Sequence, residues 1–482
     1  MYDYVIIGAG IIGTAVAREL SKYQLKILVV EKECDVSNGQ TSANSAIIHS
    51  GHDPKPGTLK AKLCVRGNEM YEELEKELDI PLLYTGAYVL ARSEEDLIKL
   101  EDLYQRAKEN GVKKAKILSK EEAFKNEPNL SKDVISVLSL PTTKVTYPWE
   151  AAFALMENAI KNGASLKLNS WVTKISKEED VYIVEINGNE KIKTKGIINA
   201  AGVHSDIVAN YIDQKKEFLI TPRKGEYLVL DKITRGFIHG VIYPLPTEKG
   251  KGVLLVPQVH GNILVGPTST FIDERDDLSN TLDDLNDLKR AAKELALNIP
   301  FDKTIRTFAG VRATSPYEDF YIKESCENKN VYHLGGIDSP GLTAAPAIAE
   351  YLVELIKETK EIYPKKNFDP YRNKNQEFDR LPISVQKKLI KGNPRYGKII
   401  CKCEHVTEEE IIEGINGHLG NDTIKGIKKR TRAGTGLCQG GYCENAIIKI
   451  IARERKVKLT DVNYYNPNTP ILLEETKVKK ND

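Results

Sequence analysis

The chain has 482 residues, 41% hydrophobic and 29% charged, and its 70 basic and 68 acidic residues leave a formal net charge of +2. This length allows two or three domains, and the near balance of charge gives no reason to expect nucleic acid as a bulk partner. No apolar run approaches the roughly 20 residues that span a bilayer. The first residues begin a strand without a basic region or cleavage site. We therefore expect a cytoplasmic protein, compatible with peripheral association at the inner face of the membrane.

The chain opens with a strand, a glycine-rich turn, a helix and a second strand: "YDYVIIGAGIIGTAVARELSKYQLKILVVEKE". Gly8, Gly10 and Gly13 form G-x-G-x-x-G directly after the apolar run Tyr4–Ile7. Gly8 makes the tight turn, Gly10 lets the backbone approach a pyrophosphate, and Gly13 lets the helix lie close to the strand. Glu31, at the end of the second strand, is placed to accept hydrogen bonds from a ribose. The segment therefore predicts a dinucleotide site.

Three later segments carry a family resemblance. They are "QTSANSAIIHSGHDPKPGTLKAKLCVRGNEMYEEL", "GIINAAGVHSDIVANY" and "VYHLGGIDSPGLTAAPAIAEYLVELI". In this order they resemble the glycine-oxidase and glycerol-3-phosphate-dehydrogenase family of FAD-dependent oxidoreductases, over about residues 1–365. The resemblance implies an α/β fold: a Rossmann-like FAD-binding domain with an inserted mixed β-sheet substrate domain.

The same resemblance implies the residues that contact FAD. The segment from Asn199 to Gly202 closes around the cofactor, and Gly335 and Gly336 place a helix N-terminus beside the flavin. An alternative is that these two glycines merely turn a strand into a helix. The implied FAD residues are Gly8, Gly10, Gly13, Glu31, Lys32, Thr41, Ser42, Asn44, Ser45, Val172, Ala200, Ala201, Gly202, Gly335, Gly336, Gly341, Leu342 and Thr343.

Alternating apolar residues between these segments predict a mixed or antiparallel sheet over the flavin, in "ITPRKGEYLVLDK" and "GVLLVPQVHGNILVGPTS", with a helix in "TLDDLNDLKRAAKELAL". In the family, the Gly-Val-Arg of "TIRTFAGVRATSPYEDFYI" supplies an arginine to the acidic part of the substrate, here Arg312. The guanidinium fork suits phosphate or carboxylate. The alternative for Arg312 is a surface ion pair.

Flavin-dependent oxidation of a carbinol needs a base for the hydroxyl proton, and a neutral histidine is suited to that role. His49 aligns with the histidine of the family's Ile-His-x-Gly motif, so the resemblance implies that it is catalytic. A structural histidine bonded to backbone is the alternative for His49, and His260 in "PQVHGN" is the alternative base. Lys55 and Lys60 could add positive charge nearby, although lysines at a helix start are usually solvated.

Seven cysteines are present, four of them near the C-terminus: Cys401-x-Cys403, then 34 residues, then Cys438-x4-Cys443. Cys34, Cys64 and Cys326 are expected to be small core residues. For the four, a disulfide pair is disfavoured in a cytosolic protein, zinc usually takes C-x2-4-C at both ends, and four thiolates suit a [2Fe–2S] cluster.

The segment "KKRTRAGTGLCQGGYC" decides among these by resemblance. It is similar to the [2Fe–2S] domain of the bacterioferritin-associated-ferredoxin type, in the C-x4-C variant fused to glycerol-3-phosphate dehydrogenases; the type member has C-x2-C. The basic residues Lys425, Lys428, Lys429, Arg430 and Arg432 are expected to stabilise a negatively charged cluster, or else to form a solvated helix face.

The domains are expected in this order: an FAD-dependent oxidoreductase domain at 1–370 with substrate-binding parts near 80–145 and 215–310, a linker at 371–398, a small helical iron–sulfur domain at 399–455, and a C-terminal tail at 456–482.

Two substrate classes remain open. The first loop is most similar to 2-hydroxyglutarate oxidases, whereas the C-terminal module is similar to the large subunit of anaerobic glycerol-3-phosphate dehydrogenases, whose usual His-Gly-Gly is here His49-Ser50-Gly51. We expect a dehydrogenase of glycerol metabolism that oxidises sn-glycerol 3-phosphate with FAD. A one-electron cluster beside a flavin predicts an acceptor other than oxygen: a second flavoprotein, an iron–sulfur subunit or a quinone. The alternatives are a dehydrogenase of L-2-hydroxyglutarate or a related 2-hydroxy acid, and an electron-transfer subunit that meets no substrate.

Overall fold

The computed structural model describes residues 1–246, 252–373 and 377–474, and it divides into two compact units. The first comprises Met1–Lys32 and Val36–Arg372, and the second comprises Glu33–Asp35 and Asn373–Asp482. Parts of the expected substrate region (247–251), linker (374–376) and tail (475–482) lie outside the described residues. Among those described, no helix combines the length and apolarity needed to cross a bilayer.

The first unit holds eight helices and twenty-one strands in its described residues. The helices are α1 (Ile11–Ser21), α2 (Leu59–Leu78), α3 (Glu94–Glu109), α4 (Lys120–Asn126), α5 (Pro148–Lys161), α6 (Ser205–Ala209), α7 (Leu282–Lys293) and α8 (Gly341–Thr359). The strands are β1 (Tyr4–Ile7), β2 (Ile27–Val30), β3 (Ile47–Ile48), β4 (Leu82–Leu83), β5 (Ala87–Ala91), β6 (Lys116–Ser119), β7 (Ser136–Ser139), β8 (Lys144–Thr146), β9 (Ser165–Lys167), β10 (Val172–Glu178), β11 (Val181–Ile186), β12 (Glu190–Thr194), β13 (Ile197–Asn199), β14 (Thr221–Leu230), β15 (Val241–Tyr243), β16 (Leu254–Pro257), β17 (Ile263–Gly266), β18 (Thr270–Phe271), β19 (Thr304–Thr314), β20 (Tyr321–Glu324) and β21 (Val331–Gly335).

A six-stranded sheet in the order β20-β21-β13-β1-β2-β9 forms the expected Rossmann-like part. Its neighbouring strands are parallel except for the edge strand β20. Strands β1 and β2 are buried along their whole length and read as continuous β-branched or aliphatic runs, as expected for parallel strands covered on both faces. The carboxyl ends of β1, β2, β13 and β21 therefore lie side by side, and the predicted cofactor residues follow these ends.

A larger sheet runs in the order β18-β14-β17-β16-β15-β5-β7-β6, with β19 paired to β14. Its pairings are antiparallel except for β15 with β5, so the predicted mixed sheet is confirmed. The predicted helix of the inserted region is α7, capped by Thr281, whose side chain accepts from Asp284. Long strands β14 and β19 pair over almost their whole length, and they carry the arginines described below.

Two smaller sheets complete the first unit: β10-β11-β12, and the short β3-β8-β4. Strand β3 ends one residue before His49. Helices α2 and α8 approach each other so closely that a Cβ at Gly67 would overlap the Thr343 carbonyl. Glycine at 67 thus allows the N-terminal end of α8 to lie against α2, beside the loop that carries His49.

The second unit contains four helices and one two-stranded sheet. They are α9 (Ile383–Gly392), β22 (Ile399–Cys401), β23 (Val406–Thr407), α10 (Glu408–Asn416), α11 (Ile424–Thr431) and α12 (Glu444–Arg455). A capping box begins α10: Thr407 accepts from Glu410 N–H, and the Glu410 carboxylate accepts from Thr407 N–H at 2.8 Å. A core of isoleucines from α10, α11 and α12 lies against Cys401 and Cys443.

Candidate active site

The glycine turn after β1 has the shape that a dinucleotide requires. A Cβ at Gly8, where φ is +104°, would lie 2.5 Å from the Ala200 carbonyl oxygen, and a Cβ at Gly13 would overlap the Gly8 carbonyl. A Cβ at Gly10 would meet only the Thr41 hydroxyl, at 3.3 Å. Gly8 and Gly13 are thus needed by the protein's own packing, whereas the space at Gly10 suits an approaching phosphate.

This difference separates two alanine variants. We expect Gly13→Ala to lower both protein stability and FAD content, because helix α1 must move away from the Gly8 carbonyl at a cost of about 1–3 kcal/mol. Gly10→Ala should leave the melting temperature of the apoprotein within about 2 °C and raise the FAD dissociation constant about tenfold or more. Apoprotein melting and FAD fluorescence titration measure the two effects. Equal FAD affinity in Gly10→Ala and wild type would contradict the assignment.

Glu31 lies directly after β2, and one of its carboxylate oxygens accepts from Ala9 N–H at 2.7 Å. The bond fixes the carboxylate at the glycine turn, where its acceptors suit ribose hydroxyls. The Thr41 hydroxyl accepts from Ile11 N–H at 2.9 Å and thus satisfies one backbone amide at the N-terminus of α1. The remaining first-turn amides carry the positive end of the helix dipole toward a phosphate.

The other implied residues of the 41–45 loop bond mainly within the loop. The Ser42 hydroxyl donates to the carbonyls of Asn38 and Gly39, and Asn44 bonds Thr41 and Ala46. Their side chains shape the loop, so a cofactor contact from Ser42 or Asn44 would come from the backbone. The implied Lys32 lies 3.3 Å from His204 Nε2, and Val172 lies in the apolar cluster with strands β1 and β2.

The turn expected to close around FAD is held from behind by a buried hydrogen-bonded chain. Asn199 Nδ2 donates to the Ser205 carbonyl at 2.7 Å and lies 3.1 Å from His333 Nδ1, while its Oδ1 accepts from Ala201 N–H at 3.3 Å. His333 Nε2 lies 2.6 Å from Asp213 Oδ2, and both side chains are 1% exposed. Since Asn199 uses its amide hydrogens as donors, the pattern assigns His333 a proton on Nε2 and an acceptor at Nδ1.

Asp213 is the fixed end of this chain. Although burial raises its pKa, hydrogen bonds from His333, Ser325 and Asn328 leave the pKa of Asp213 below its ordinary value. The carboxylate therefore stays ionised and keeps the Nε2 proton of His333 directed toward it. The sequence analysis did not identify His333 or Asp213, because their separation of 120 residues gives no local signal.

We expect His333→Leu to weaken FAD binding about tenfold or more, because Asn199 then loses a buried partner and the turn from Ala200 to Gly202 loses its support. His333→Gln should stay within about threefold of wild type, because its amide offers an acceptor and a donor in the same order. FAD titration of both variants, alongside their apoprotein melting temperatures, separates the positioning effect from general destabilisation. Equal losses in both variants would contradict the hydrogen-bond assignment.

The second glycine segment follows β21. A Cβ at Gly335 would overlap the ring of Phe218, and Gly336 has φ +63°. Phe218 in turn stacks on Tyr321, 4.7 Å between ring centroids, and lies beside His333. The glycines thus let the chain turn tightly into α8, whose first residues Gly341, Leu342 and Thr343 are those the resemblance assigns to the cofactor.

His49 is held on both sides by buried neighbours. Its N–H donates to the Thr343 hydroxyl at 2.9 Å, and its carbonyl accepts from Asn68 Nδ2 at 2.9 Å. Its ring nitrogen Nδ1 lies 3.1 Å from the hydroxyl of Tyr243, and Nε2 lies 3.5 Å from the hydroxyl of Ser339. Burial raises the pKa of Tyr243 well above its ordinary value, so this hydroxyl stays neutral. An Nδ1 proton donated to Tyr243 would leave Nε2 with a lone pair for a substrate hydroxyl.

Arg312 does not form the surface ion pair considered above, as far as the described residues show. Its guanidinium donates to the Thr268 carbonyl at 2.6 Å, and its cross-strand partner on β14 is Arg223. Arg223 donates to the Ser269 hydroxyl at 2.6 Å and lies over the Phe271 ring. Burial first, and the positive charge of Arg312 second, hold the pKa of Arg223 below its usual range. Two like charges directly opposite destabilise a sheet, so an anion between them would relieve the repulsion.

The arginine pair and His49 converge on the loop before α8. Arg223 is electrostatically coupled to Asp338, and the next residue, Ser339, lies beside His49 Nε2. Gln40 joins the same loop to β19: it donates to the Ile337 carbonyl and accepts from Ala313 N–H, both at 3.1 Å. The structure thus brings His49 and the arginine pair around one loop. Sequence analysis missed Arg223 and Tyr243, which the strand alternation marks only as polar or aromatic positions.

Other candidates lie elsewhere or have other partners. His260 lies buried in the turn after β16, with its ring 4.7 Å from Tyr147. Lys60 is not solvated as expected, because it pairs with Asp338 at 2.8 Å and both side chains are largely buried. Lys55 pairs with Glu318 at the surface. The expectation of a core position is wrong for Cys326, which is exposed, whereas Cys34 and Cys64 are buried.

The four C-terminal cysteines come together as two pairs. The sulfurs of Cys403 and Cys438 lie 3.7 Å apart. The neighbouring thiol of Cys443 is the main cause that lowers the pKa of Cys401. Two sulfurs on one tetrahedral metal, with bonds of about 2.3 Å, lie about 3.8 Å apart. In the described part of the chain, no three such side chains surround a single metal position. Two cysteine pairs fit the two irons of a [2Fe–2S] cluster.

The basic run is largely neutralised by acids. Lys429 and Arg430 bind the buried carboxylate of Asp35, at 3.2 and 2.8 Å, and Arg432 binds Glu404 at 3.0 Å. Although burial raises the pKa of Asp35, these cations leave it below its ordinary value. Three of the five basic residues therefore form ion pairs inside the second unit, and their effect on the cluster stays a prediction.

Comparison with known proteins gives two family matches. Residues 3–355 match the model described as FAD dependent oxidoreductase (DAO), and residues 399–453 match the BFD-like [2Fe-2S] binding domain. A glycerol 3-phosphate dehydrogenase from Caloramator mitchellensis is 41% identical over 99% of each chain. L-2-hydroxyglutarate dehydrogenase from Caenorhabditis elegans is 32% identical over 58% of this chain and 66% of its own length. The structure of dithionite-reduced L-α-glycerophosphate oxidase from Mycoplasma pneumoniae with FAD bound superposes with a TM-score of 0.74, at 32% identity, over 78% of this chain and 99% of that one.

Proposed function

The chain belongs to the FAD-dependent oxidoreductase family and carries a BFD-like [2Fe-2S] domain, and from that premise we propose that it is a dehydrogenase of sn-glycerol 3-phosphate. The product is dihydroxyacetone phosphate. The observation that carries this proposal is the pair Arg223 and Arg312, opposite each other on β14 and β19, next to the loop that His49 touches. Similarity over the full length to a glycerol 3-phosphate dehydrogenase supports the same substrate.

Two guanidinium groups suit the charge of a phosphate better than that of one carboxylate. Each can donate a charge-assisted hydrogen bond worth about 1.5–3 kcal/mol. The pKa of Arg223, held down by burial and by Arg312, rises when a dianion binds. A bound phosphate would therefore offset the repulsion between the two guanidinium groups. A substrate with one anionic group and a nearby secondary hydroxyl then extends from the arginines toward His49.

His49 acts as the base in this proposal. Thr343 and Asn68 hold its backbone by hydrogen bonds, so only the two side-chain torsions set the position of the ring. The neutral hydroxyl of Tyr243 accepts a hydrogen bond from Nδ1–H. The lone pair of Nε2 then takes the proton of the substrate hydroxyl. The hydroxyl of Tyr243 then stabilises the positive charge that forms on the imidazole. A positioned base of this kind contributes about 10²–10⁴ in rate.

FAD, when bound, accepts the hydride that leaves the carbinol carbon, and the iron–sulfur cluster passes electrons onward singly. The residues proposed to hold FAD are the glycine turn, Glu31, the Asn199–Gly202 turn and the segment from Gly335 to Thr343. Those proposed to hold the cluster are Cys401, Cys403, Cys438 and Cys443. The electron acceptor is a second redox protein or a quinone, and association with the inner face of the membrane is compatible with either.

The test is anaerobic reduction of the purified holoenzyme by each candidate substrate, followed by flavin absorbance and by product analysis. We expect sn-glycerol 3-phosphate to bleach the flavin and to yield one dihydroxyacetone phosphate for every two electrons taken up by the flavin and the cluster together. L-2-hydroxyglutarate should reduce it at least about a hundredfold more slowly, because only one of its two singly charged carboxylates can lie between the arginines. Bleaching by 2-hydroxyglutarate alone would favour the hydroxy-acid dehydrogenase. Bleaching by neither substrate would favour an electron-transfer subunit.

A further inference from the structure

The loop that carries the last two cysteines displays large apolar side chains to solvent. Leu437 is 71% exposed and Tyr442 is 78% exposed, and each directly precedes a cysteine assigned to the cluster. They are the two most exposed large apolar side chains between residues 399 and 453. Exposed apolar groups of this size at a functional centre indicate a binding surface.

Hydrogen bonds within the loop hold the backbone that carries these side chains. Gln439 Nε2 donates to the carbonyls of Thr435 and Gly436, at 2.8 and 3.0 Å, and Gly441 N–H donates to the Cys438 carbonyl at 3.0 Å. A Cβ at Gly436 would overlap Cys403. A backbone held in this way loses little conformational entropy on binding, and tyrosine is enriched at the energetic centres of interfaces.

A lysine charge lies beside Tyr442, and further basic residues lie earlier in the same chain segment. Lys402, between the first two cysteines, is exposed and places its ammonium 5.6 Å from the ring centre of Tyr442. Residues 381–403 contain six basic residues and no acidic one. They are Lys387, Lys388, Lys391, Arg395, Lys398 and Lys402. Lys398 and Arg395 reach acids of α10, and the three lysines of α9 lie on a helix with no buried residue. An approaching acidic surface would be attracted to this part of the unit.

We propose that Leu437, Tyr442 and Lys402 form the docking surface for an acidic, one-electron-carrying protein that oxidises the cluster. This rests on the proposed function, which supplies the electrons. Oxidation of one carbinol to a ketone releases two electrons and two protons, so two acceptor molecules are reduced in turn and the protons pass to solvent. Apolar contact at Leu437 and Tyr442 would bring the acceptor directly against the loop that holds Cys438 and Cys443. The positive charge of Lys402 would favour acidic carriers over basic ones.

The test uses two soluble haem proteins of opposite charge as probes, the acidic haem domain of cytochrome b5 and the basic cytochrome c. With glycerol 3-phosphate as donor, we expect the holoenzyme to reduce cytochrome b5 at least about tenfold faster than cytochrome c at low ionic strength, with the preference falling as salt is raised to about 0.15 M.

Leu437→Ser with Tyr442→Ser should lower kcat/KM for cytochrome b5 about tenfold to a hundredfold. Lys402→Glu should lower it and raise the rate with cytochrome c.

Controls separate this surface from the chemistry. Flavin bleaching by substrate and reduction of the cluster, read by electron paramagnetic resonance, should be unchanged in all three substitutions. Leu282→Ser and Lys191→Glu, at exposed positions of the first unit, should behave as wild type. Loss of flavin bleaching in the wild type would instead refute the proposed function. Unchanged cytochrome b5 reduction in the loop variants would overturn the docking surface, and so would loop-dependent sedimentation with phosphatidylglycerol vesicles, which would assign it to lipid.

Discussion

Replacing His49 with alanine is expected to lower the rate of flavin reduction by glycerol 3-phosphate about 10²–10⁴-fold, with little change in substrate affinity. The reason is geometric: His49 Nε2 faces Ser339 at the loop that also meets the arginine pair, and Nδ1 is held by Tyr243. Tyr243→Phe should cost less, about three- to thirtyfold, because it removes the partner that orients the ring but keeps the base. Anaerobic stopped-flow absorbance over a range of substrate concentrations separates rate from affinity.

His260→Gln is the matched control for His49. This histidine is also partly enclosed by aromatic residues but lies in a turn beside Tyr147. We expect its rate of flavin reduction to stay within about twofold of wild type. A large loss in His260→Gln together with a small loss in His49→Ala would transfer the role of base to His260. Retained FAD content in both variants shows that the comparison is made on folded enzyme.

Replacing Arg312 with methionine is expected to lower kcat/KM for glycerol 3-phosphate about 10–150-fold, and the Arg223→Met change should do the same. These factors correspond to about 1.5–3 kcal/mol for each hydrogen bond to a charged group. The double variant should lose less than the product of the single effects, because removing one arginine also relieves the repulsion of the other. Steady-state kinetics with a small artificial dye as acceptor measures all three variants.

Glycerol is the substrate control for the arginine variants. It keeps the reacting carbinol and lacks the phosphate, so its low kcat/KM should change by less than about threefold in either arginine variant. Arg306→Met, at an exposed position of the same strand β19, controls for a change of strand charge. Equal losses for glycerol and glycerol 3-phosphate would show that the arginines support the fold and do not bind phosphate.

Sequence analysis reached most of the architecture because the informative features are local. The glycine turn, the strand ends and the cysteine spacing each lie within a few residues of one another, so their physical meaning can be read directly. Family resemblance then supplied His49 and Arg312, which no spacing rule identifies. The mixed sheet followed from the alternation of apolar residues, and the structure confirms it.

The residues that sequence analysis missed act across long separations. Arg223 becomes informative only when β14 and β19 pair, 89 positions apart in register. His333 and Asp213 meet through the sheet order, and Tyr243 reaches His49 from a different sheet. The ion pairs of the basic run have no local signal in the sequence, because Asp35 lies almost 400 residues before Arg430. Such pairings depend on tertiary structure, so local patterns in a single sequence do not predict them.

The central claim is that electrons from glycerol 3-phosphate leave through the C-terminal cysteines. The most direct measurement mixes the anaerobic holoenzyme with glycerol 3-phosphate and follows flavin absorbance together with freeze-quenched electron paramagnetic resonance. We predict that the flavin bleaches first and that the signal of a reduced [2Fe–2S] cluster then appears, while Cys403→Ser bleaches normally and shows no such signal. A cluster that stays oxidised under a fully reduced flavin would contradict this account.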